Sequence, residues 1–378
     1  MLALIIMELY LITLLIALFS LVKLLSSERR RFRTSKELGI GDNLPTVSVC
    51  IPVRNETQVM SECLELVLAS DYPKLEIIVL DDNSIDGTPN IVRAFAHAGV
   101  RFVSGDELPE DWIGKNYSMK KLLEESSGRY VLFMDADTRI SSRTISLLVD
   151  RLLEERIDML SVIPQRSDFN HASTWFGHLR YLWDLVLHTE KKPSASSAIW
   201  LVDRKRLLHD FNGFSLWRDS VQPERHLAEG FARTDDYQLI ISTPELGVTF
   251  QKKWRSQIDS SKRILMQRLG DSAAGVSLVI GLMLFVLLPQ AGFVMFFISG
   301  QYIEAVMSAF MTIMVMIVLL TFYRIYWTKR WLLSVFVMPV VLWQELILLF
   351  ASVASYSRGT VVWKGRQIAR PNRRTAPD

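Results

Sequence analysis

The chain has 378 residues, enough for one large domain or two ordinary ones, and 49% of them are hydrophobic. Its net charge of +3 is too small to indicate nucleic acid as a partner. The two cysteines, Cys50 and Cys63, provide neither a disulfide framework nor the spacing of a zinc site, which is typical of a reducing, cytosol-facing domain. The mean hydropathy of +0.20 is high for a purely soluble enzyme.

The N-terminal segment predicts a membrane anchor. Residues 1–25 are almost entirely apolar, with Glu8 and Lys23 as the only charges, and their length is close to the roughly 20 residues that cross a bilayer. The arginine-rich run 29–33 comes after the apolar stretch, whereas a cleaved signal peptide carries its charges before it. We therefore expect an uncleaved anchor over residues 1–27, with the next domain in the cytoplasm by the positive-inside rule.

Apolar runs that alternate with helical periodicity predict an α/β domain, which we assign to residues 28–270. Strands are expected at 46–53, 75–80, near 100–102 and at 130–134, with helices near 61–69, 88–98 and 116–126 between them. This βαβαβ rhythm predicts a mostly parallel, Rossmann-like sheet.

Three long apolar stretches, 276–298, 303–327 and 331–356, predict C-terminal membrane helices over residues 271–357. The last region, 358–378, is a tail with six Lys or Arg residues and one Asp.

The third apolar stretch is expected to be re-entrant or interfacial rather than a simple span. It contains Pro339, Gln344 and Glu345, and a third crossing would leave the basic tail outside the cell. We therefore expect the tail in the cytoplasm. An acidic residue at membrane depth, here Glu345, is a functional candidate.

Carboxylates follow two of the predicted strands. Asp81 and Asp82 come directly after the second strand, and Asp135 and Asp137 come after the fourth. The carboxyl ends of strands are where an α/β sheet binds its ligands. Mg²⁺ or Mn²⁺ prefers oxygen ligands and is usually held by one or two carboxylates together with substrate phosphates. The pattern therefore predicts a divalent cation and a phosphorylated ligand.

Together with the polar end of the first strand at 51–56, these motifs resemble family 2 glycosyltransferases with the GT-A fold, over about residues 46–250. The resemblance implies nucleotide-sugar contacts along the strand ends, where Asp82 would recognise the uracil or ribose. Asp137 would be the direct metal ligand, with Asp135 on the ribose and phosphate side and as a second ligand. The implied donor-binding residues are Pro52, Glu56, Asp81, Asp82, Lys115 and Asp135. Lys115 belongs to a Trp-x-Gly-Lys segment that is similar to one in lipid-modifying members, where it would contact the donor diphosphate.

The resemblance also implies a general base. In the family an acidic pair after a G-G-F-like turn provides it, and here Asp235 and Asp236 follow the turn 212–214, so Asp236 is the expected base. Glu229 is the alternative, because its E-G-F-A segment is similar to one in carotenoid-modifying relatives.

Two further segments bear on the substrates. The Q-x-x-R-W motif of processive polysaccharide synthases is not matched at 251–255 or 263–269, which favours transfer of a single sugar. The W-K-G-R segment 363–366 resembles one in membrane-bound carotenoid, hopanoid and ceramide glycosyltransferases, which implies a lipid acceptor.

The expected activity is inverting, metal-dependent transfer of one hexose from a nucleotide sugar, with UDP-glucose as the expected donor. The acceptor would be a carotenoid, hopanoid, sphingolipid or glycerolipid, reached from the cytoplasmic face of the plasma membrane. Three alternatives remain: a polyprenyl-phosphate glycosyltransferase, a polysaccharide synthase-like enzyme, and a non-catalytic nucleotide-binding membrane scaffold.

Overall fold

The computed structural model describes residues 2–34, 44–168, 171–252, 254–268, 273–364 and 366–368. The chain forms two compact units. The helical unit contains Met1–Arg29, Ser167–Leu187 and Lys252–Val361, and the sheet unit contains Arg30–Arg166, His188–Gln251 and Val362–Asp378. The described part of the predicted tail from residue 362 onward therefore belongs to the sheet unit. Residues 365 and 369–378 of the tail lie outside the described residues.

The helices are α1 Leu2–Ser27, α2 Met60–Leu68, α3 Thr88–Ala94, α4 Gly114–Glu125, α5 Thr144–Glu155, α6 Ala172–Trp175, α7 Arg180–Val186, α8 Arg204–His209, α9 Pro223–Ala232, α10 Trp254–Arg268, α11 Ala273–Ile298, α12 Tyr302–Tyr326 and α13 Met338–Ser357. The main strands are β1 Val47–Val53, β2 Leu75–Asp81, β3 Val100–Ser104, β4 Tyr130–Met134, β5 Met159–Ile163, β6 Ile199–Asp203 and β7 Tyr237–Ile241. Short strands at Thr138–Arg139, Gln165–Arg166 and Thr249–Phe250 form a second sheet, and Val362–Trp363 pairs with Arg366–Gln367.

The main sheet has the order β3-β2-β1-β4-β6-β5-β7. The pairs β1–β2, β1–β4, β2–β3 and β5–β7 are parallel, and only β6 runs antiparallel to its neighbours β4 and β5. The expected α/β class and mostly parallel sheet are confirmed, and every predicted strand and helix of the first βαβαβ segment is present within a few residues of its expected bounds.

The core lies on both faces of this sheet because successive side chains of a strand point to opposite faces. In β1, Val49 and Ile51 join one buried cluster with residues of α2 and α5, while Cys50 joins the other with residues of α4 and α9. Cys50 and Cys63 are free, fully buried thiols, and burial raises the pKa of both.

Within the described residues, the helical unit contains four helices that are long and apolar enough to cross a membrane, as expected of a membrane protein. They lie in α1, α11, α12 and α13. Polar contacts join them at separated points: Thr13 Oγ1 donates to the Phe285 carbonyl at 2.8 Å, and Arg324 pairs with Glu28 at 3.2 Å. Internal partners of this kind satisfy polar groups that lipid cannot.

The third apolar stretch forms a short 3₁₀ segment at Trp331–Phe336 followed by the unbroken helix α13. Pro339 lies in the first turn of α13, where its missing N–H costs no helical hydrogen bond. Because α13 is long enough to span, the re-entrant arrangement stays a prediction. Glu345 accepts hydrogen bonds from Trp183 Nε1 at 2.8 Å and from the Leu179 N–H at 3.3 Å. These contacts give Glu345 a structural role in joining α13 to the segment that contains α7.

Candidate active site

The acidic residues that follow β1, β2 and β4 meet at one edge of the main sheet. These three strands are adjacent and parallel, and the register pairs Val53 at the end of β1 with Asp81 at the end of β2. The structure therefore brings Glu56, the Asp81–Asp82 pair and Asp135 to the same edge, as the sequence predicts.

The loops after β1 and β2 are fastened together by their own polar groups. Asn55, in the left-handed region with φ of 53°, donates its N–H to Ser84 Oγ at 2.8 Å and accepts from the Ile85 N–H at 2.9 Å. The Glu56 N–H donates to Thr88 Oγ1 at 2.9 Å. These bonds fix the loop after β1, which contains Glu56. Pro52 lies inside the strand itself.

Asp82 is almost completely buried, with 4% of its surface exposed, and pairs with Arg366 from the C-terminal segment. Both carboxylate oxygens of Asp82 lie 2.8 Å from Arg366 Nη1. Burial raises the pKa of Asp82, and the hydrogen bond and charge of Arg366 oppose that rise. Arg54 donates to the Asp82 backbone carbonyl, so a second guanidinium lies beside the same residue.

Asp81, next to it, is also buried, with 4% exposed. Its Oδ2 accepts from the Ser84 N–H at 3.0 Å, whereas its Oδ1 has no hydrogen-bond partner among the described residues. A buried carboxylate oxygen without a partner is costly, so it is an acceptor suited to a ligand N–H or hydroxyl.

Glu56 forms an ion pair with a cation of the tail. Its Oε1 is 2.9 Å from Lys364 Nζ. Burial raises the pKa of Glu56; the charge and hydrogen bond of Lys364 lower it, and the charges of Asp137 and Asp135 raise it. The carboxylates of Glu56, Asp135 and Asp137 are therefore close enough for the charges of the two aspartates to affect the pKa of Glu56.

Lys115 and Asp135 form a direct ion pair, with Lys115 Nζ 2.5 Å from Asp135 Oδ1. Lys115 lies in the first turn of α4, and Asp135 immediately follows β4. The Asp135 N–H donates to the Ala198 carbonyl at 2.9 Å, which fixes the start of the D-x-D turn against β6.

The donor set at this edge fits a hard divalent cation. Within the described residues, no group of three or more His, Cys, Asp and Glu side chains converges as a complete metal cage. Two carboxylates at the end of β4, Asp135 and Asp137, are the arrangement expected of Mg²⁺ or Mn²⁺ that takes its other ligands from phosphate and water.

The expected base Asp236 and its neighbour Asp235 lie at the opposite edge. The Asp236 carbonyl accepts from the Met159 N–H at 3.0 Å, at the start of β5, and Tyr130 at the start of β4 pairs with Asp203 at the end of β6. Asp135 comes after the end of β4, so the length of a five-residue strand, roughly 15 Å, separates it from that row.

Asp236 has structural partners instead. Its Oδ2 accepts from Arg206 Nη1 at 2.5 Å and from Thr234 Oγ1 at 2.6 Å, and Arg206 also pairs with Asp158 at 2.6 Å. Burial opposes ionisation, but the hydrogen bonds from Thr234 and Arg206 lower the pKa of Asp236. Asp236 is therefore held by structural partners at the edge away from Asp135, and its assignment as the base stays a prediction.

The helix α9 carries two further carboxylates. It precedes β7, which is parallel to β5, so α9 begins near the acidic edge and ends near the start of β7. Glu229, in its second half, pairs with Arg225 at 3.5 Å. Glu224 lies in its first turn and is 2% exposed.

The start of α9 is fastened to the start of α4. Asn116 Nδ2 donates to the Ser220 carbonyl at 2.7 Å, and the Ile113 N–H donates to the Arg218 carbonyl at 2.9 Å. Glu224 follows Ser220 by four positions and lies in the first turn of α9, the helix end that this loop precedes. Sequence reasoning missed Glu224; the signal that indicates it is a Pro-Glu pair at a helix start, where an acidic side chain is favoured.

Residues 48–220 match the profile of glycosyl transferase family 2. Among curated proteins, the chain is similar to a ceramide glucosyltransferase of Komagataella phaffii, with 26% identity over 38% of this chain and 29% of that protein. It is also similar to a 4,4'-diaponeurosporenoate glycosyltransferase of Staphylococcus haemolyticus, with 24% identity over 52% of this chain and 53% of that protein. The chain thus spans less than two thirds of either relative.

Among solved structures, the chain resembles the mannosyltransferase PcManGT from Pyrobaculum calidifontis, determined in complex with GDP-Man and Mn²⁺. The TM-score is 0.57 at 19% identity, covering 92% of this chain and 98% of that one. This likeness confirms the GT-A fold.

Proposed function

From the premise that this chain carries a family 2 glycosyltransferase domain, we propose that it transfers a single hexose from a nucleotide sugar, UDP-glucose, to a membrane lipid with inversion at the anomeric carbon. The observation that carries the proposal is the convergence of Glu56, Asp81, Lys115, Asp135 and Asp137 at one sheet edge. The described part of the chain also contains four helices that are long and apolar enough to cross a membrane. A relative named for ceramide supports a lipid acceptor.

The donor would bind across the ends of β1, β2 and β4. Asp81 Oδ1, which has no partner among the described residues, would accept from the nucleoside, because Asp82 is already paired with Arg366. Asp137 and Asp135 would hold Mg²⁺ or Mn²⁺, and Lys115 would add a positive charge beside the diphosphate. A bound divalent cation offsets the charge that develops on the leaving diphosphate.

We assign the general base to Glu224 rather than to Asp236 or Glu229. The support for Glu224 is its burial in the first turn of α9, the helix end that is hydrogen-bonded through its preceding loop to α4. A carboxylate there would take the proton of an acceptor hydroxyl as the hydroxyl oxygen displaces the diphosphate. The catalytic domain would face the cytoplasm at the plasma membrane.

The test uses membranes that contain the protein, a native lipid extract, Mn²⁺ or Mg²⁺, and radiolabelled UDP-hexoses. Label that moves into the organic phase, and that is lost in Asp137→Ala and Glu224→Gln but kept in Asp236→Asn, supports the proposal. Transfer that survives Glu224→Gln would instead indicate an acceptor that needs no base, such as a polyprenyl phosphate. Nucleotide binding without transfer from any donor would favour a non-catalytic scaffold.

A further inference from the structure

The C-terminal hairpin, residues 362–367, contributes two cations to the acidic edge. Val362 pairs with Gln367 and Trp363 pairs with Arg366 in antiparallel register. Lys364, between the two short strands, has a positive φ of 47°. The hairpin belongs to the same compact unit as the main sheet, although it follows that sheet by more than a hundred residues.

Each cation of the hairpin holds a different carboxylate. Arg366 binds Asp82, and Lys364 binds Glu56 at 2.9 Å and the Asn55 carbonyl at 3.3 Å. The backbone is held as well, because Arg54 Nε donates to the Lys364 carbonyl at 3.2 Å. Four contacts therefore fasten the described residues of the hairpin to the segments that follow β1 and β2.

Close packing at Gly114 shows how tightly the hairpin is fitted. A Cβ atom at Gly114 would lie 2.8 Å from Asp82 Oδ2, 3.0 Å from Arg366 Nη1 and 3.2 Å from the Trp363 ring. The start of α4, the Asp82 carboxylate and the hairpin thus occupy one small volume, which only a glycine leaves open.

Both cations keep donor capacity after binding their carboxylates. A guanidinium has five N–H donors, and a lysine ammonium has three. Among the described residues, Arg366 uses only Nη1, which leaves Nε and Nη2 without a partner, and Lys364 Nζ uses two contacts. About a quarter of the Arg366 side chain, 25%, is exposed, so an anion can reach it.

A diphosphate needs such cations here, because Glu56, Asp81, Asp82, Asp135 and Asp137 would otherwise repel it. We propose that Lys364 and Arg366 are donor-positioning residues that remain on Glu56 and Asp82 and bind the diphosphate of the sugar nucleotide through their remaining N–H groups. This inference rests on the proposed function and deepens it, since the tail becomes part of the donor site. Arg366 then links the nucleoside side of the pocket to the phosphates.

The test measures nucleotide binding by calorimetry with the purified full-length protein in detergent, in the presence of Mn²⁺. The variants are Lys364→Ala and Arg366→Ala, and the matched control is Arg233→Ala, an exposed arginine of the same unit. We expect each hairpin variant to weaken UDP binding about tenfold, while uridine, which lacks phosphates, binds as to the wild type. Lys364→Arg should restore most of the UDP affinity.

Thermal melting without ligand separates a folding defect from a binding defect, because a purely structural role would lower the midpoint and weaken uridine and UDP binding alike. Unchanged UDP affinity in both variants would overturn the inference, and so would tighter binding, which would make the hairpin a competitor of the nucleotide. If the wild-type protein binds none of UDP, GDP or dTDP, the proposed function itself is overturned. Equal binding of UDP by the wild type and the variants overturns only the inference about the hairpin, so the two failures can be told apart.

Discussion

Arg366 and Asp82 are 284 positions apart in the chain, yet one guanidinium nitrogen lies 2.8 Å from both oxygens of the carboxylate. Asp82 is the residue that the family resemblance connects with the nucleoside. Its pairing with Arg366 makes the neighbouring Asp81, with an unpartnered buried oxygen among the described residues, the better placed acceptor for a ligand.

Replacing Gly114 with alanine should disturb the hairpin. The new methyl group would lie 2.8 Å from Asp82 Oδ2 and 3.2 Å from the Trp363 ring, so one of them must move. We expect UDP affinity to fall at least fivefold and tryptic cleavage after Lys364 or Arg366 to accelerate. Gly281→Ala is the control, since a Cβ there meets nothing within 4 Å. Equal cleavage rates in the two variants would contradict this packing.

Asp236→Asn should reduce stability and leave glycosyl transfer nearly unchanged. The substitution removes the charge that binds Arg206, an ion pair only partly shielded from solvent and therefore worth about 1 kcal/mol. Asp210→Asn, which removes a more exposed partner of the same arginine, should cost less. Thermal melting and transfer assays on the wild type, Asp236→Asn and Asp210→Asn test this prediction. A transfer rate lowered a hundredfold in Asp236→Asn would indicate that Asp236 is the base.

The contribution of Asp236 to stability should depend on pH. Its pKa is lowered in the folded protein, so its stabilisation is present above the unfolded value of about 4 and is lost as pH falls through the folded value. The difference in melting temperature between wild type and Asp236→Asn should therefore be constant from pH 6 to 8 and shrink below about pH 4. A difference that grows on acidification would contradict the lowered pKa.

Asp137→Ala should abolish the response to metal. Addition of Mn²⁺ should tighten UDP binding to the wild type and not to the variant, because a phosphate-bound cation needs a protein carboxylate to hold it at this edge. Transfer should fall at least a hundredfold in the variant and in wild type treated with a chelator. Asp106→Ala, whose exposed carboxylate pairs with Lys121, is the control. If Mn²⁺ still tightens UDP binding in Asp137→Ala, the cation is bound by other residues.

The orientation of the tail can be tested with cysteine labelling in intact cells. Cys50 and Cys63 are fully buried and give little background. A cysteine introduced at Ala376 should be protected from an impermeant thiol reagent, as expected for a cytoplasmic tail. One introduced at Gln301, in the turn between α11 and α12, should be labelled. Ready labelling at Ala376 would show that α13 leaves the tail on the outer side.

Much of the fold could be predicted because its signals are local. The buried run of β4 and the carboxylates after β2 and β4 can be recognised from neighbouring residues, and parallel strands bring their carboxyl ends to one edge. The position of the antiparallel strand β6 between β4 and β5 was not predicted. No local sequence pattern indicates that a later strand will lie between two earlier ones in the sheet.

The sequence by itself determined an α/β domain with acidic strand ends and apolar segments of membrane-spanning length, because hydropathy, strand periodicity and D-x-D spacing are properties of short segments. Only the tertiary structure decided which carboxylates share an edge. It separated Asp236 from Asp135 by the length of a strand, hydrogen-bonded the loop before α9 to α4, and paired Arg366 with Asp82. Strand direction and contacts between distant segments arise from the packing of the whole sheet. The spacing of residues along the chain therefore does not indicate them.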